Sequence, residues 1–107
     1  MVSNIEDGIN AYFNNDYKTA LRDFKSLAKQ GDAVAQFMLG NMYVDGDGVP
    51  RNNKTAVKWY RLAADQGDAA AQIALGDMYV NGDGVPKNTK TAVKWYRLAA
   101  DQGDDDA

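Results

Sequence analysis

Residues 33–68 read AVAQFMLGNMYVDGDGVPRNNKTAVKWYRLAADQGD, and residues 69–104 repeat this 36-residue unit with seven substitutions. Near-identity at such a period is typical of stacked-repeat proteins, in which each unit buries its apolar face against its neighbours. The differing pairs are Val34/Ala70, Phe37/Ile73, Met38/Ala74, Asn41/Asp77, Asp45/Asn81, Arg51/Lys87 and Asn53/Thr89. The repeat therefore predicts the architecture, and its differences carry information about function.

Five of the seven differences lie on one side of a single helix. Positions 34, 37, 38, 41 and 45 fall within an arc of roughly 100° when successive residues turn by about 100°. The opposite side is the same in both copies and carries Ala35, Leu39, Met42 and Tyr43. We expect the identical side to hold the stack together and the variable side to face a ligand.

The amino-acid composition excludes several classes of function. The chain has 107 residues, of which 45% are hydrophobic and 25% charged, which predicts one globular domain. It contains no Cys and no His, which excludes thiolate or imidazole metal sites and Cys or His catalysis. The first residues, MVSNIEDG, have neither a basic start nor an apolar run, so we expect no signal peptide and a cytoplasmic location.

Local signals predict six helices. Helix starts are indicated by a capping box at Ser3 and Glu6 and by caps at Asp32 and Asn52. Gly31, Gly67 and Gly103 follow the second helix of each pair and predict its end. Trp59 and Tyr60 are expected to fill the space between helices. The expected helices cover about 4–14, 16–30, 32–45, 53–66, 68–81 and 89–102.

Both copies share a motif set: Leu39-Gly40, Met42-Tyr43, Gly46-x-Gly48-Val49, Ala56, Trp59-Tyr60, Ala63-Ala64 and Gly67 recur 36 residues later. This set resembles the Sel-one-like repeat (SLR) family, a branch of the tetratricopeptide repeat superfamily. The first unit lacks a four-residue loop insert, because Gly8 and Ala20 are 12 residues apart whereas Gly40 and Ala56 are 16 apart. That unit is more similar to an ordinary tetratricopeptide repeat, and we interpret it as an N-terminal cap. The expected division is 1–31, 32–67 and 68–103, followed by an acidic tail at 104–107.

The resemblance implies an all-α fold, a right-handed α-solenoid of three antiparallel helix pairs whose first helices line a concave groove. It also implies a scaffold that binds a peptide or protein and is not an enzyme. The groove positions implied by the family are Ile5, Ile9, Phe13, Val34, Phe37, Asn41, Asp45, Ala70, Ile73, Asp77 and Asn81. Four of the five helical differences between the copies coincide with these positions. The groove would be apolar at its N-terminal end and acidic at the other, which suits a partner with hydrophobic anchors and a basic group.

Other readings of the charged residues are weaker. All twelve Lys and Arg lie at 18–29, 51–61 and 87–97, where stripes on successive second helices could meet nucleic acid or an anionic membrane. The net charge of −3 favours a solvated outer face, and we expect neither partner. Asp45-x-Asp47 begins like a calcium loop, but Val49 and Ala56 occupy the places of the third ligand and the closing Glu. We expect no metal, no cofactor and no catalytic residues.

The C-terminal end of the stack leaves a second function open. No helix follows 89–102 to cover Val93, Trp95 and Leu98, although terminal repeats normally present a polar outer face. The chain could therefore be a structural unit that self-assembles through residues 89–102, for example as a symmetric homodimer. A regulatory subunit of an enzyme, using the same groove, is a third hypothesis.

Overall fold

A computed structural model describes residues 4–105, and this part of the chain forms six α-helices that pack in sequential pairs. They are α1 (Ile5–Phe13), α2 (Tyr17–Lys29), α3 (Ala33–Asp45), α4 (Asn53–Asp65), α5 (Ala69–Asn81) and α6 (Thr89–Asp105). Each helix packs against the next one along the chain. The predicted all-α fold of three helix pairs is confirmed.

Polar side chains begin the helices as the sequence indicates. Asp32 and Asn52 accept hydrogen bonds from the backbone N–H groups of Ala35 (2.9 Å) and Thr55 (3.1 Å), which confirms both predicted caps. Ser3 lies outside the described residues, and the side chain of Asn4 caps α1 by accepting from the backbone of Asp7. These contacts satisfy backbone donors that the first turn of a helix leaves free.

The end of α6 differs from the prediction. Gly31 and Gly67 have positive φ angles of 99° and 97° and end α2 and α4. Gly103 does not take this conformation, and α6 continues through it to Asp105, so the predicted stop at Gly103 is wrong. At the first two positions the turn brings the next first helix onto the stack, whereas the described chain has no further helix to dock after α6. A glycine after the second helix of a pair is therefore not sufficient for the left-handed turn.

The hydrophobic core consists of two clusters, one at each junction between repeats. The first joins Ala20, Phe24 and Ala28 of α2 to Ala35, Leu39 and Met42 of α3; the second joins Ala56, Val57, Tyr60, Ala63 and Ala64 of α4 to Ala71, Leu75 and Met78 of α5. The side that is identical between the copies is thus the side that stacks, as predicted. Tyr60 is buried in this core, whereas Trp59 is half-buried and packs at its edge.

Buried glutamine side chains link helices across both junctions. The amide nitrogen of Gln36 donates to the backbone carbonyl of Ala28 at the end of α2 (3.1 Å). Its amide oxygen accepts from the side chain of Gln66 at the end of α4 (2.8 Å). In the next repeat Gln72 makes the same two bonds, to Ala64 (3.1 Å) and from Gln102 (2.9 Å). One amide therefore connects three helices at each junction.

Replacing Gln36 with leucine is expected to lower the free energy of unfolding by about 2 kcal/mol, because its amide loses two hydrogen bonds, to the Ala28 carbonyl and from Gln66, each worth about 1 kcal/mol. Gln36 is only 4% exposed, so water cannot easily take its place. The measurement is urea denaturation followed by circular dichroism. Gln30→Leu is the matched control, since Gln30 is exposed and its side chain bonds only to Ser26 among the described contacts. The effect of this control substitution on the free energy of unfolding should stay within about 0.5 kcal/mol.

Candidate functional site

The predicted groove residues lie on the first helix of each repeat, and none of them is a buried member of the two core clusters, although Ile5, Ile9 and Phe37 pack against these clusters from outside. We call these eleven residues the first-helix surface. Seven are exposed: Phe13, Val34, Asp45, Ala70, Ile73, Asp77 and Asn81. Four are half-buried: Ile5, Ile9, Phe37 and Asn41. Phe13 is 74% exposed and Ile73 is 48% exposed, so the surface offers apolar side chains to a ligand.

Tyr60 connects the first-helix surface to the core. A Cβ atom on Gly40 would lie 2.5 Å from the Tyr60 ring, so glycine at this position allows α4 to place the ring directly against α3. The Tyr60 hydroxyl donates to Oδ1 of Asn41 (2.5 Å), and the ring centroids of Phe37 and Tyr60 are 5.9 Å apart. A buried ring thus holds one polar and one apolar residue of the surface in place.

Two further tyrosines hold polar groups in a similar way. Tyr96 packs against Gly76 and its hydroxyl donates to the carboxylate of Asp77. Tyr12 donates to Oδ2 of Asp47, in the loop after α3, over 3.0 Å. Tyr12, Asp47 and Tyr96 are not among the groove residues predicted from the sequence. One pattern in the sequence could have identified Tyr96. In both copies a glycine in the middle of the first helix, Gly40 or Gly76, is followed 20 residues later by a tyrosine.

The surroundings of Tyr12, Tyr60 and Tyr96 raise the pKa of their hydroxyl groups. Burial raises the pKa of Tyr60, and the nearby Asp45 and Asp77 carboxylates raise it further. The hydrogen bond to Asp77, with burial, raises the pKa of Tyr96 to about 12. Burial and the hydrogen bond to Asp47 raise the pKa of Tyr12 to about 12. A tyrosine is protonated at neutral pH even at its ordinary pKa, and these shifts keep the three hydroxyls available as donors at more alkaline pH as well.

The first-helix surface is acidic. None of the twelve Lys and Arg lies on a first helix, whereas Asp45 and Asp77 do, and Asp47 follows directly after α3. Such a surface attracts a cationic group more than an anionic one. Within residues 4–105 no group of three or more His, Cys, Asp or Glu side chains is placed to hold a metal ion.

The basic residues of α4 lie on a different surface. Lys54, Lys58 and Arg61 line a groove of about 430 Å³ between α4 and the following repeat, whose floor includes Val57, Tyr79 and Val85. Arg61 donates to the Tyr79 hydroxyl and lies 5.8 Å from the centre of that ring. The cations therefore flank a repeat junction, away from the first-helix surface.

Comparison with known families agrees with this geometry. The sequence profile of the Sel1 repeat matches residues 33–68 and 69–104, which together make up most of the chain. The chain belongs to the Sel1 repeat family. Proteins of this family are repeat scaffolds that are typically non-catalytic.

Two solved structures place this Sel1 repeat protein among its relatives. A Sel1 repeat protein from Oxalobacter formigenes is 41% identical, with a TM-score of 0.89 over 92% of this chain. A protective antigen present in uropathogenic Escherichia coli strains, which displays an SLR fold, is 40% identical, with a TM-score of 0.85 over 90% of this chain. The chain spans 41% and 21% of the lengths of these two proteins. No curated protein matches it. Across the described residues, no helix combines the length and apolar character needed to cross a membrane.

Proposed function

We propose that this Sel1 repeat protein is a non-catalytic interaction scaffold, and that the first-helix surface is its concave groove for a peptide segment of a protein partner. The observation that carries the proposal is the pair of tyrosine hydroxyls that donate to Asn41 and Asp77, which form one of the two aligned pairs on the first-helix surface at which the copies differ in charge; the other is Asp45/Asn81. A carboxylate that already accepts one hydrogen bond from a phenol hydroxyl keeps further lone pairs that can accept a hydrogen bond from a ligand. The third repeat thus offers a fixed negative acceptor where the second offers a neutral one.

The distribution of apolar and acidic residues defines the partner. Ile5, Ile9 and Phe13 make the part contributed by α1 apolar, whereas Asp77 and Asn81 make the part contributed by α5 polar. A complementary segment carries hydrophobic anchors at one end and an arginine or lysine at the other. The anchors gain from desolvation, and the basic group gains from the carboxylates and from an orientation fixed by hydrogen bonds.

The non-catalytic part of the proposal rests on the residue inventory. The chain has no Cys and no His, and the shifted pKa values on the first-helix surface belong to tyrosines that are protonated at neutral pH. A general base titrating near neutral pH, which hydrolytic and transfer chemistry commonly requires, has no candidate among these groups.

The test is a displayed peptide library selected on the full chain, followed by fluorescence anisotropy with the selected peptides. We expect these peptides to contain Lys or Arg together with apolar residues. The double variant Asn41→Lys/Asp77→Lys should weaken their binding by about 100-fold or more, because two lysines replace acceptors that face the basic group. Circular dichroism should show an unchanged helix content.

A second double variant with the same net charge tests whether the position of the added lysines matters or only their charge. Gln30→Lys/Asp65→Lys also adds three positive charges, but at exposed positions at the C-terminal ends of the second helices α2 and α4, and it should bind the peptides nearly as the unmodified chain does. Selected peptides that lack basic residues, or that bind the Asn41→Lys/Asp77→Lys variant at full strength, would contradict the groove assignment.

A further inference from the structure

Helix α4 carries three cations beside a concave surface. Lys54, Lys58 and Arg61 follow each other at intervals of four and three residues, which places them on one side of the helix. They line the groove of about 430 Å³ that α4 forms with the following repeat. None of the residues that line it is an aspartate or a glutamate. We call this cavity the α4 groove, and its α4 side is positively charged.

The floor of the α4 groove is apolar. Val57 on α4 is only 6% exposed, and Val85 and the ring of Tyr79 reach the groove from the following repeat. The volume lies in the range of about 300–1,000 Å³ that is typical of ligand pockets. The groove therefore has room for an apolar side chain between the two repeats, with cations beside it.

The cations of the α4 groove are available to a ligand. Lys54 and Lys58 are exposed, and neither makes an ion pair or a side-chain hydrogen bond with any residue in 4–105. Arg61 donates to the Tyr79 hydroxyl, which leaves further N–H groups of its guanidinium for another acceptor. An arginine can bind a carboxylate through two such groups at once. Three positive groups can thus meet an anionic ligand at one cavity.

The preceding repeat junction does not reproduce this arrangement. Three basic residues of α2 occupy the equivalent positions, 36 residues earlier in the chain. The middle one, Arg22, places its Nε atom 3.5 Å from Oδ1 of Asp23. Its counterpart Lys58 is followed by Trp59 and has no such carboxylate partner among the described residues. The positive charge of α2 is therefore partly neutralised by its own helix, whereas that of the α4 groove is not.

We propose that the α4 groove binds an acidic segment of a partner protein, which places one large apolar side chain on the floor and carboxylates beside the cations. Charge complementarity selects the acidic residues. Removal of apolar surface from water holds the apolar side chain between Val57 and Val85. The first-helix surface attracts basic groups instead, so this site adds a second partner of opposite charge and does not depend on the function proposed above.

A nucleic acid fits the α4 groove less well than such a peptide. Proteins bind single strands through cations along the backbone and aromatic rings on which the bases stack. The aromatic residue that lines this groove is Tyr79, and the guanidinium of Arg61 lies over its ring, 5.8 Å from the centroid. Tyr79 also packs against the core cluster of α4 and α5, so little of its ring is left for a base.

The test uses the peptide Glu-Glu-Phe-Glu-Glu, blocked at both ends, titrated into the isotope-labelled full chain and followed by two-dimensional amide NMR. We expect saturable shifts at the α4 groove, including the amides of Lys58 and Val85, with a dissociation constant of about 1 mM or tighter. Replacing the phenylalanine of the peptide with alanine, or its glutamates with glutamines, should weaken binding by about tenfold or more.

Two double variants with the same change in net charge test the location of the site. Lys54→Glu/Lys58→Glu should weaken binding of the peptide by about tenfold or more, because repulsion replaces attraction. Lys18→Glu/Lys25→Glu makes the same exchange at exposed positions of α2. It should change the affinity by less than about threefold, since salt screens charges that lie on another helix. Circular dichroism checks that both variants are folded.

Several results would overturn the proposal: no saturable shifts at the α4 groove, a glutamine peptide that binds as well as the acidic one, or equal losses in the two double variants. The peptide comparisons use the unmodified chain, so they decide the question even if a variant fails to fold. An oligothymidylate that shifts the groove amides at lower concentration than the peptide would assign the groove to nucleic acid and overturn the proposal as well. The function proposed above predicts basic peptides on the first-helix surface, so either proposal can fail without the other.

Discussion

Alanine at Gly84 is expected to lower the free energy of unfolding by about 3 kcal/mol, from two separate causes. Gly84 has a φ of +74°, and a residue with a Cβ atom loses about 1–2 kcal/mol in this conformation. A Cβ atom there would also lie 2.5 Å from the backbone carbonyl oxygen of Asn53, the first residue of α4. A backbone atom cannot rotate away, so overpacking adds about 1–3 kcal/mol.

A substitution at Gly82 separates the conformational cost of a positive φ from the cost of the overlap with α4. Its φ of +70° is nearly the same, but a Cβ atom would meet nothing closer than 3.4 Å. Gly82→Ala should therefore show the conformational cost alone, about 1–2 kcal/mol. Urea denaturation of both variants measures the difference. Equal losses at the two positions would mean that the loop does not rest on α4, and that the junction is looser than the structure describes.

Local features of this fold were accessible from the sequence. The caps at Asp32 and Asn52 depend only on a side chain and a backbone N–H three residues later, so their effect does not need the rest of the molecule. The stacking side of α3 was predictable for a related reason. Two copies under the same packing constraint keep Leu39 and Leu75 identical while the other side of the helix varies.

Features that depend on how helices approach each other were not predictable in the same way. The segments Gln-Gly-Asp at 30–32, 66–68 and 102–104 are identical, yet Gly103 stays helical while Gly31 and Gly67 turn. This tripeptide alone therefore does not decide whether its glycine turns. Likewise, the sequence shows a polar Asn41, but its hydrogen bond to Tyr60 exists because α3 and α4 approach closely at Gly40.

The largest expected change in stability is at Tyr60, the tyrosine that packs on Gly40. Tyr60→Ala should lower the free energy of unfolding by about 3–5 kcal/mol, as for other large buried aromatic residues. The ring is 3% exposed, it fills the space against Gly40, and no small shift can close the cavity that its removal leaves. Tyr60→Phe keeps the ring and should cost only about 1 kcal/mol, the typical contribution of one hydrogen bond.

Tyr96→Ala is the matched comparison, because Tyr96 has the same sequence neighbours and the same glycine contact but is only half-buried. We expect a loss of about 2 kcal/mol, as the ring is already partly hydrated. Denaturant unfolding of both variants gives the difference directly. Equal losses would show that the greater burial of Tyr60 adds nothing to its contribution to stability.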